Sequence, residues 1–445
     1  MKSTGPMREE LVSIDKLAFG GSGLGRVGGK VCFVPFTAPG DTVRAGIVSE
    51  KKSYLEGELL EVVEPSAARA VPPCGVFGSC GGCCWQHLPY DIQLRAKQEI
   101  FADTLARGAR VPSEAILPII PSETPYGYRS RVQLKVRSVG GELHMGFYRQ
   151  GSHFVVGLPG LCMIASDAVN RVYSAVRPIL ERFPEPDRVP QVDVAAGDDG
   201  RTLLLVHYIG EKPDKAAEWL HRNMPGDAIA NGLFIQTGRK ATIMKIRGED
   251  RISYVIPPGL VPGLPEMRLS FRCGGFSQVN YGQNLKLVKT LLSWARLTGT
   301  ERVLDLFCGN GNFSIPVAGS CAEVVGLEDF RQSIEDAVRN AVVNGVTNAR
   351  FLCRDSARGL KELLANGERF DLVILDPPRT GSLETVRLIP DLAPGKVVYV
   401  SCDPPTLARD LAVLMKGGYT VVSSRPVDMF PQTHHIESIT ILQRK

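Results

Sequence analysis

Long apolar runs are missing from this chain of 445 residues. No run reaches the roughly 20 consecutive apolar residues that a membrane-spanning helix needs. The first residues, Met1 to Pro6, also lack the apolar core of a signal peptide. These two absences argue against a membrane-embedded or exported chain, so we expect a cytoplasmic protein with no membrane partner.

A strong excess of charge is missing as well. The chain carries 52 Lys and Arg against 47 Asp and Glu, a net charge of +5, which permits an RNA or DNA partner but does not by itself argue for one. With 44% hydrophobic and 22% charged residues, wholesale disorder is also excluded. The length allows two to four domains, and we expect a monomer.

Cysteine, in contrast, is plentiful. Eleven cysteines in a cytosolic chain stay mostly reduced, so clustered ones indicate metal ligation or catalysis rather than disulfides. Cys74, Cys80 and Cys83 are close in sequence, and Cys84 is adjacent. An iron–sulfur cluster or a zinc site needs four ligands, and Cys84 is a poor fourth because its side chain points away from that of Cys83. The pattern predicts a metal site completed by a more distant ligand.

The chain divides into three predicted parts. Short β patterns with glycine turns over residues 8–66 predict a small β-barrel. Strands and helices mix over residues 70–275, which predicts an α+β central domain that carries the cysteines. Strand–helix alternation over residues 276–445 is typical of a doubly wound α/β domain.

Polar residues follow successive predicted strands of the last part. The strand 302–306 runs into a glycine turn, where a ligand can approach the backbone. Glu328 ends the next strand, where a carboxylate can hold a ribose, Asp355 follows the third strand and Asp376 the fourth. This series resembles the S-adenosylmethionine-dependent methyltransferase fold.

The motif Asp376-Pro377-Pro378-Arg379 also has a second interpretation. Asp-Pro-Pro suits methyl transfer to an exocyclic amine, where an aromatic residue usually follows. Arg379 follows here, which weakens that interpretation.

A cysteine stands at the end of another predicted buried strand, in Ser401-Cys402-Asp403-Pro404-Pro405. Carbon 5 of uracil takes up a methyl group only after a thiolate has added to carbon 6, and a base must later remove the carbon 5 proton. Cys402 fits the thiolate and Glu437 the base. A free cysteine is more commonly a small buried apolar residue, but the flanking Ser and Asp-Pro-Pro argue against that role.

These motifs together resemble the RNA 5-methyluridine methyltransferases, particularly the bacterial enzymes that modify large-subunit ribosomal RNA. The resemblance covers nearly the whole chain. It implies S-adenosylmethionine as cofactor, Cys402 as nucleophile, Glu437 as base, and six residues at the cofactor, namely Gln278, Phe307, Asn312, Glu328, Asp355 and Asp376.

Two positions depart from the family pattern. Asp403 stands where the family usually has Asn, and its carboxylate either raises the pKa of the neighbouring thiol or simply hydrogen-bonds the turn. Asp355 also replaces an expected Asn, and it still offers an acceptor to an adenine amine.

The cysteine spacing resembles the cluster motif of the same family, whose fourth ligand comes much later in the chain. Cys162 matches that place. The resemblance therefore implies a [4Fe-4S] cluster on Cys74, Cys80, Cys83 and Cys162, with zinc on the same ligands as the alternative.

The barrel resembles the TRAM domain, which implies RNA contact. Phe33, Phe36 and Tyr54 are either stacking platforms or core residues. The basic strand from Tyr128 to Arg137 is either a phosphate contact or a solvated face, and we favour the contact. The target uracil must leave its stack to reach Cys402.

We therefore expect a uridine carbon 5 methyltransferase of 23S rRNA. The same reaction on the tRNA T-loop is the near alternative. An RNA-binding or redox-sensing iron–sulfur protein with a silent methyltransferase fold is the alternative of another class, and the presence of both Cys402 and Glu437 argues against it.

Overall fold

The structure is a computed structural model, and it describes residues 8–445. Its N-terminal part is a closed five-stranded barrel in the order β1-β2-β3-β5-β4. Alternate residues such as Val12 and Ile14 point inward and fill it. The strands are β1 (Glu9–Leu17), β2 (Gly23–Val27), β3 (Lys30–Val34), β4 (Thr42–Glu50) and β5 (Tyr54–Glu64). The predicted barrel is confirmed, although β3 ends two residues before Phe36, whose φ of 62° breaks the strand.

Helix α1 (Tyr90–Ala109) follows the cysteine loop, the name used here for residues 74–84. Its apolar face, with Phe101 and Leu105, is buried in the core of the C-terminal part of the chain. A 3-10 turn, Ser113–Ala115, comes next. Helix α1 therefore belongs by packing to the C-terminal core, although it precedes the central sheet in sequence.

The central part is a seven-stranded sheet in the order β12-β11-β10-β9-β6-β7-β8. Helices α2 and α3 cover one face, and they bury valines and leucines of the middle strands. The elements are β6 (Arg131–Val139), β7 (Glu142–Tyr148), β8 (Val155–Gly157), α2 (Asp167–Leu180), β9 (Gln191–Ala196), β10 (Thr202–His207), α3 (Pro213–Asn223), β11 (Gly232–Gln236) and β12 (Ile243–Gly248), with 3-10 turns at Pro186–Arg188 and Lys240–Thr242.

A hairpin connects the central sheet to the last part. Strands β13 (Arg251–Ile256) and β14 (Met267–Arg272) pair with each other and pack in one core with α4 (Tyr281–Ala295) and the C-terminal sheet. By packing, the C-terminal unit therefore begins before residue 276.

The C-terminal part is a seven-stranded doubly wound sheet in the order β17-β16-β15-β18-β19-β21-β20. All of its pairings are parallel except those of β21, which runs antiparallel between β19 and β20. The order reverses between β15 and β18, and such a switch point is where α/β sheets bind ligands. The elements are β15 (Arg302–Leu306), α5 (Ser314–Ala318), β16 (Glu323–Glu328), α6 (Arg331–Val343), β17 (Ala349–Cys353), α7 (Ser356–Ala365), β18 (Leu372–Leu375), α8 (Leu383–Leu392), β19 (Lys396–Ser401), α9 (Pro404–Lys416), β20 (Tyr419–Val427) and β21 (Glu437–Arg444).

Within residues 8–445, no helix is both long and apolar enough to cross a bilayer.

Candidate active site

Cys402 and Glu437 are brought together by strand register. Cys402 directly follows β19, and Glu437 is the first residue of β21. These strands pair antiparallel with Ser401 opposite Ser438, so the next pair in register is Cys402 and Glu437. Glu437 is buried and Cys402 half-buried. A thiol and a carboxyl group more than 30 positions apart in sequence thus share one small site.

The site contains three carboxyl groups that act on one another, those of Glu437, Asp376 and Asp305. Burial, and then the charge of Asp376, raise the pKa of Glu437 well above its usual range. Burial, and then Asp305, raise the pKa of Asp376 to about 7. Asp305, on β15, has its own pKa raised to about 7 by burial. The site therefore disfavours accumulated negative charge, which suits a cationic ligand.

The thiol of Cys402 is subject to the same field. Burial, followed by the charges of Glu437 and Asp376, raises its pKa to about 12, while Arg379 acts in the opposite direction. Cys402 is therefore a thiol at neutral pH, and its ionisation must accompany substrate binding.

Asp403 has a structural task. It is the N-cap of α9, and its carboxylate accepts a hydrogen bond of 2.9 Å from the Thr406 amide. Of the two roles considered from sequence, the hydrogen bond to the turn is the one observed.

The glycine turn after β15 forms an open cradle. Phe307, Gly309 and Gly311 all have left-handed φ angles, of 67°, 56° and 88°. No atom outside the immediate chain neighbours lies within 4 Å of where a Cβ on Gly309 would stand. Below the turn, one carboxylate oxygen of Asp305 is buried without a hydrogen-bond partner, while the other accepts from Ser314.

Glu328 closes the adjacent side of this cradle. Its two oxygens accept from the amides of Phe330 at 2.9 Å and Gly309 at 3.3 Å. Burial raises its pKa. The carboxylate is thus fixed at the end of β16, beside the glycine turn, and its role as a ribose ligand stays a prediction.

Of three other predicted cofactor residues, two already make hydrogen bonds within the protein. Asn312 exchanges amide hydrogen bonds of 2.8 and 2.9 Å with Asn284, so its polar atoms are already engaged. Asp355 is exposed and caps α7 through the Arg358 amide. Gln278 is half-buried in the loop before α4, next to the buried Ser277. Their ligand roles stay predictions.

Sequence reasoning did not assign Asp305 or Arg379 to the site. Asp305 precedes the glycines on a buried strand, and a buried acid there is the signal that could have found it. Arg379 was noted only for the aromatic residue it replaces.

The four predicted metal ligands line one cavity of about 240 Å³, and they are Cys74, Cys80, Cys83 and Cys162. All four are free thiols, and burial raises the pKa of Cys80 to about 11 and that of Cys83 to about 12. Cys84 points elsewhere, with its sulfur 3.5 Å from Nδ1 of His434, as predicted. Within residues 8–445, no group of three or more His, Cys, Asp or Glu side chains is placed to hold a metal ion. The metal site stays a prediction that rests on the shared cavity.

The basic strand is partly structural. The Tyr128 hydroxyl is buried and donates to the Pro431 carbonyl at 3.0 Å, and Arg131 donates to the Gly275 carbonyl at 2.6 Å. Lys135 lies over the Tyr148 ring, 5.3 Å from its centroid. In the barrel, Phe33 packs edge-on against Tyr54. RNA contact by these residues stays a prediction.

Comparison with known proteins gives two family matches. The family model described as tRNA (uracil-5-)-methyltransferase matches residues 90–445, and the model of the TRAM domain matches residues 7–60. The predicted TRAM resemblance is thereby confirmed.

Relatives match over almost the full length. The 23S rRNA (uracil(1939)-C(5))-methyltransferase RlmD of Alkalilimnicola ehrlichii is 36% identical, covering 98% of this chain and 96% of that protein. The protein of the same name from Alcanivorax borkumensis is 33% identical, covering 99% and 97%. The crystal structure of Pyrococcus abyssi tRNA (uracil-54, C5)-methyltransferase in complex with S-adenosyl-L-homocysteine is 24% identical, covers 97% of this chain and 99% of that one, and superposes with a TM-score of 0.73. This likeness confirms the predicted fold class, a class I methyltransferase domain with an N-terminal OB-like barrel.

Proposed function

The chain belongs to the tRNA (uracil-5-)-methyltransferase family and is an RNA uracil-5-methyltransferase, and from that premise we propose that it methylates a uridine of 23S rRNA through a covalent cysteine–uracil adduct. The observation that carries the proposal is the register of β19 and β21, whose last pair, Ser401 with Ser438, brings Cys402 and Glu437 next to each other.

The pair divides the reaction into two steps. The thiolate of Cys402 bonds to carbon 6 of the uracil, and the electron pair of the 5,6 double bond makes carbon 5 nucleophilic. After carbon 5 is methylated, Glu437 takes the carbon 5 proton. The electron pair of that C–H bond restores the double bond, and the carbon 6–sulfur bond breaks to return a thiolate. The raised pKa of Glu437 makes its carboxylate a strong proton acceptor for this second step.

The residues around the glycine turn fit S-adenosylmethionine. The open space at Gly309, the unpartnered oxygen of Asp305 and the fixed carboxylate of Glu328 form a cradle for it, and we propose that Gln278, Phe307, Asn312, Asp355 and Asp376 complete it. When bound, the cofactor supplies the methyl group, and its positive charge favours the ionised forms of the nearby thiol and carboxyls.

The proposed RNA is large-subunit rRNA. Curated relatives at 33–36% identity over nearly the whole chain are named for 23S rRNA, whereas the tRNA enzyme shares 24%. The test compares transfer of labelled methyl groups to 23S rRNA and to tRNA, both unmodified, by the purified protein. Label in 5-methyluridine of 23S rRNA alone supports the proposal, and label in tRNA alone overturns the choice of substrate.

We also propose a [4Fe-4S] cluster on Cys74, Cys80, Cys83 and Cys162. The donor set fits, because four thiols and no carboxylate line one cavity. Iron and sulfide in protein purified without oxygen support the cluster. Zinc in their place would assign the alternative metal to the same thiols.

A further inference from the structure

The segment that leads into Glu437 contains a residue in an unusual conformation. Gln432 has a φ of 68°, in the left-handed region that residues other than glycine rarely adopt. It lies in the middle of the base segment, the name used here for residues 428–437. Such a conformation persists only where surrounding contacts hold it.

Gln432 is held by hydrogen bonds on its backbone and side chain. Its amide donates to the Gln93 side-chain oxygen at 2.9 Å, and the Gln93 nitrogen donates back to the Gln432 side-chain oxygen at 3.0 Å. Its carbonyl accepts from the amides of Cys84 and Trp85, each at 3.1 Å. Both polar groups of its backbone are therefore fixed from outside the base segment.

Gln93 joins two parts of the chain. It lies on α1 and is fully buried. Besides Gln432, its nitrogen reaches the carbonyls of Trp85 at 3.1 Å and Leu88 at 2.9 Å. One buried side-chain amide thus connects the residues that follow the cysteine loop with the base segment.

The start of the base segment is anchored independently. Lys97 donates to Asp428 at 2.5 Å and to the Phe430 carbonyl at 3.0 Å, and Tyr128 donates to the Pro431 carbonyl. After Gln432, the external hydrogen bonds weaken to a 3.5 Å contact between His434 and Cys84, until Ile436 is buried in the core and Glu437 pairs with Val427 at the start of β21. Among residues 8–445, the Gln93–Gln432 pair is therefore the last strong hydrogen-bonded anchor before β21 begins at the base.

We propose that Gln93 is a positioning residue for the Glu437 base, acting through Gln432. The proposal rests on the proposed function, because it needs Glu437 to remove the carbon 5 proton. Cys402 directly follows β19, which β18 holds on the side away from β21. Loss of Gln93 should therefore impair release of the methylated RNA more than formation of the adduct.

The test is Gln93→Met, compared with Gln98→Met as matched control. Gln98 is also a glutamine of α1, but it bonds Leu117 and Ile119 instead of the base segment. The enzyme is mixed with RNA and labelled cofactor, and the denaturant-stable protein–RNA adduct is followed in time. Gln93→Met should release RNA at least about tenfold more slowly while adduct forms within about threefold of the wild-type rate. Equal slowing of both steps, or release as fast as in Gln98→Met, overturns the proposal.

A second pair of variants keeps the proposal testable if Gln93→Met fails to fold. Gln432→Gly keeps the backbone bonds and relieves the left-handed φ, so release should stay within about threefold of wild type. Gln432→Val places a β-branched residue at that φ, and adduct should accumulate. Equal release rates in the two variants would contradict the proposal. Wild-type protein that makes no 5-methyluridine would instead refute the proposed function itself.

Discussion

At the scale of the residue, the chemistry depends on the thiol of Cys402, whose pKa burial raises to about 12. The thiolate is the reactive form. As long as the pH stays below that pKa, the thiolate fraction grows about tenfold with each unit by which the pH rises. We expect the rate of adduct formation at limiting RNA, which reports on the free enzyme, to rise steadily between about pH 6 and about pH 8. Quenched-flow measurement would show this, and a plateau that begins below pH 7 would contradict it.

Asp403 gives a second prediction at this scale. Asparagine caps helices about as well as aspartate, so Asp403→Asn should leave the free energy of unfolding unchanged. The rate of adduct formation should stay within about twofold of wild type. Asp403→Ala removes the cap and should lower the free energy of unfolding by about 1 kcal/mol. Denaturant unfolding and the adduct assay measure the two effects. A tenfold faster adduct in Asp403→Asn would show that the carboxylate acts on the thiol after all.

At the scale of the element, the glycine turn after β15 determines cofactor binding. A methyl group on Gly309 would enter the open space of the cradle at a left-handed φ of 56°. At a cofactor concentration of 100 times the wild-type dissociation constant, binding should stabilise the wild-type protein by about 2.7 kcal/mol. Gly309→Ala should lose at least about half of that gain, measured by thermal shift.

Gly299 supplies the matched control. It also has a left-handed φ, of 101°, and open space around it, but it lies in the loop before β15 at the opposite edge of the sheet. Gly299→Ala should carry at least as much backbone strain and keep the full cofactor-induced shift. The same loss in both variants would mean that strain, rather than the cradle, explains the effect.

Helix α1 and the base segment are joined by a fully buried ion pair between Lys97 and Asp428. Removal of one partner leaves an uncompensated buried charge, so Lys97→Met should lower the free energy of unfolding by about 3–5 kcal/mol. Arg95→Met breaks the exposed pair with Asp91 on the same helix and should cost no more than about 0.5 kcal/mol. Urea unfolding of both variants checks this, and similar losses in the two would contradict it.

At the scale of the whole molecule, the sequence predicts some features better than others. The barrel, the doubly wound sheet and the strand ends that carry Glu328, Asp376 and Cys402 follow from local patterns of apolar residues and glycines. The resemblance named Glu437, and the register of β19 with β21 then explains how it reaches Cys402.

Contacts between distant segments are what sequence patterns could not supply. Nothing in the periodicity of α1 tells that Gln93 and Lys97 bond residues more than 330 positions later. Helix α1 packs in one core cluster of the C-terminal part and the β13–β14 hairpin in another. Both arrangements likewise depend on the tertiary fold. The bonds between the side-chain amides of Asn312 and Asn284 are another such contact, since nothing in the sequence indicates them.

The most direct test of the account is a covalent trap. RNA that contains 5-fluorouridine carries no carbon 5 proton for Glu437 to remove, so the methylated adduct should persist. Wild-type protein incubated with fluorinated 23S rRNA and S-adenosylmethionine should give a denaturant-stable adduct whose peptide mass maps to Cys402, and Cys402→Ala should give none. No adduct with either 23S rRNA or tRNA, or an equal adduct in Cys402→Ala, would contradict the account.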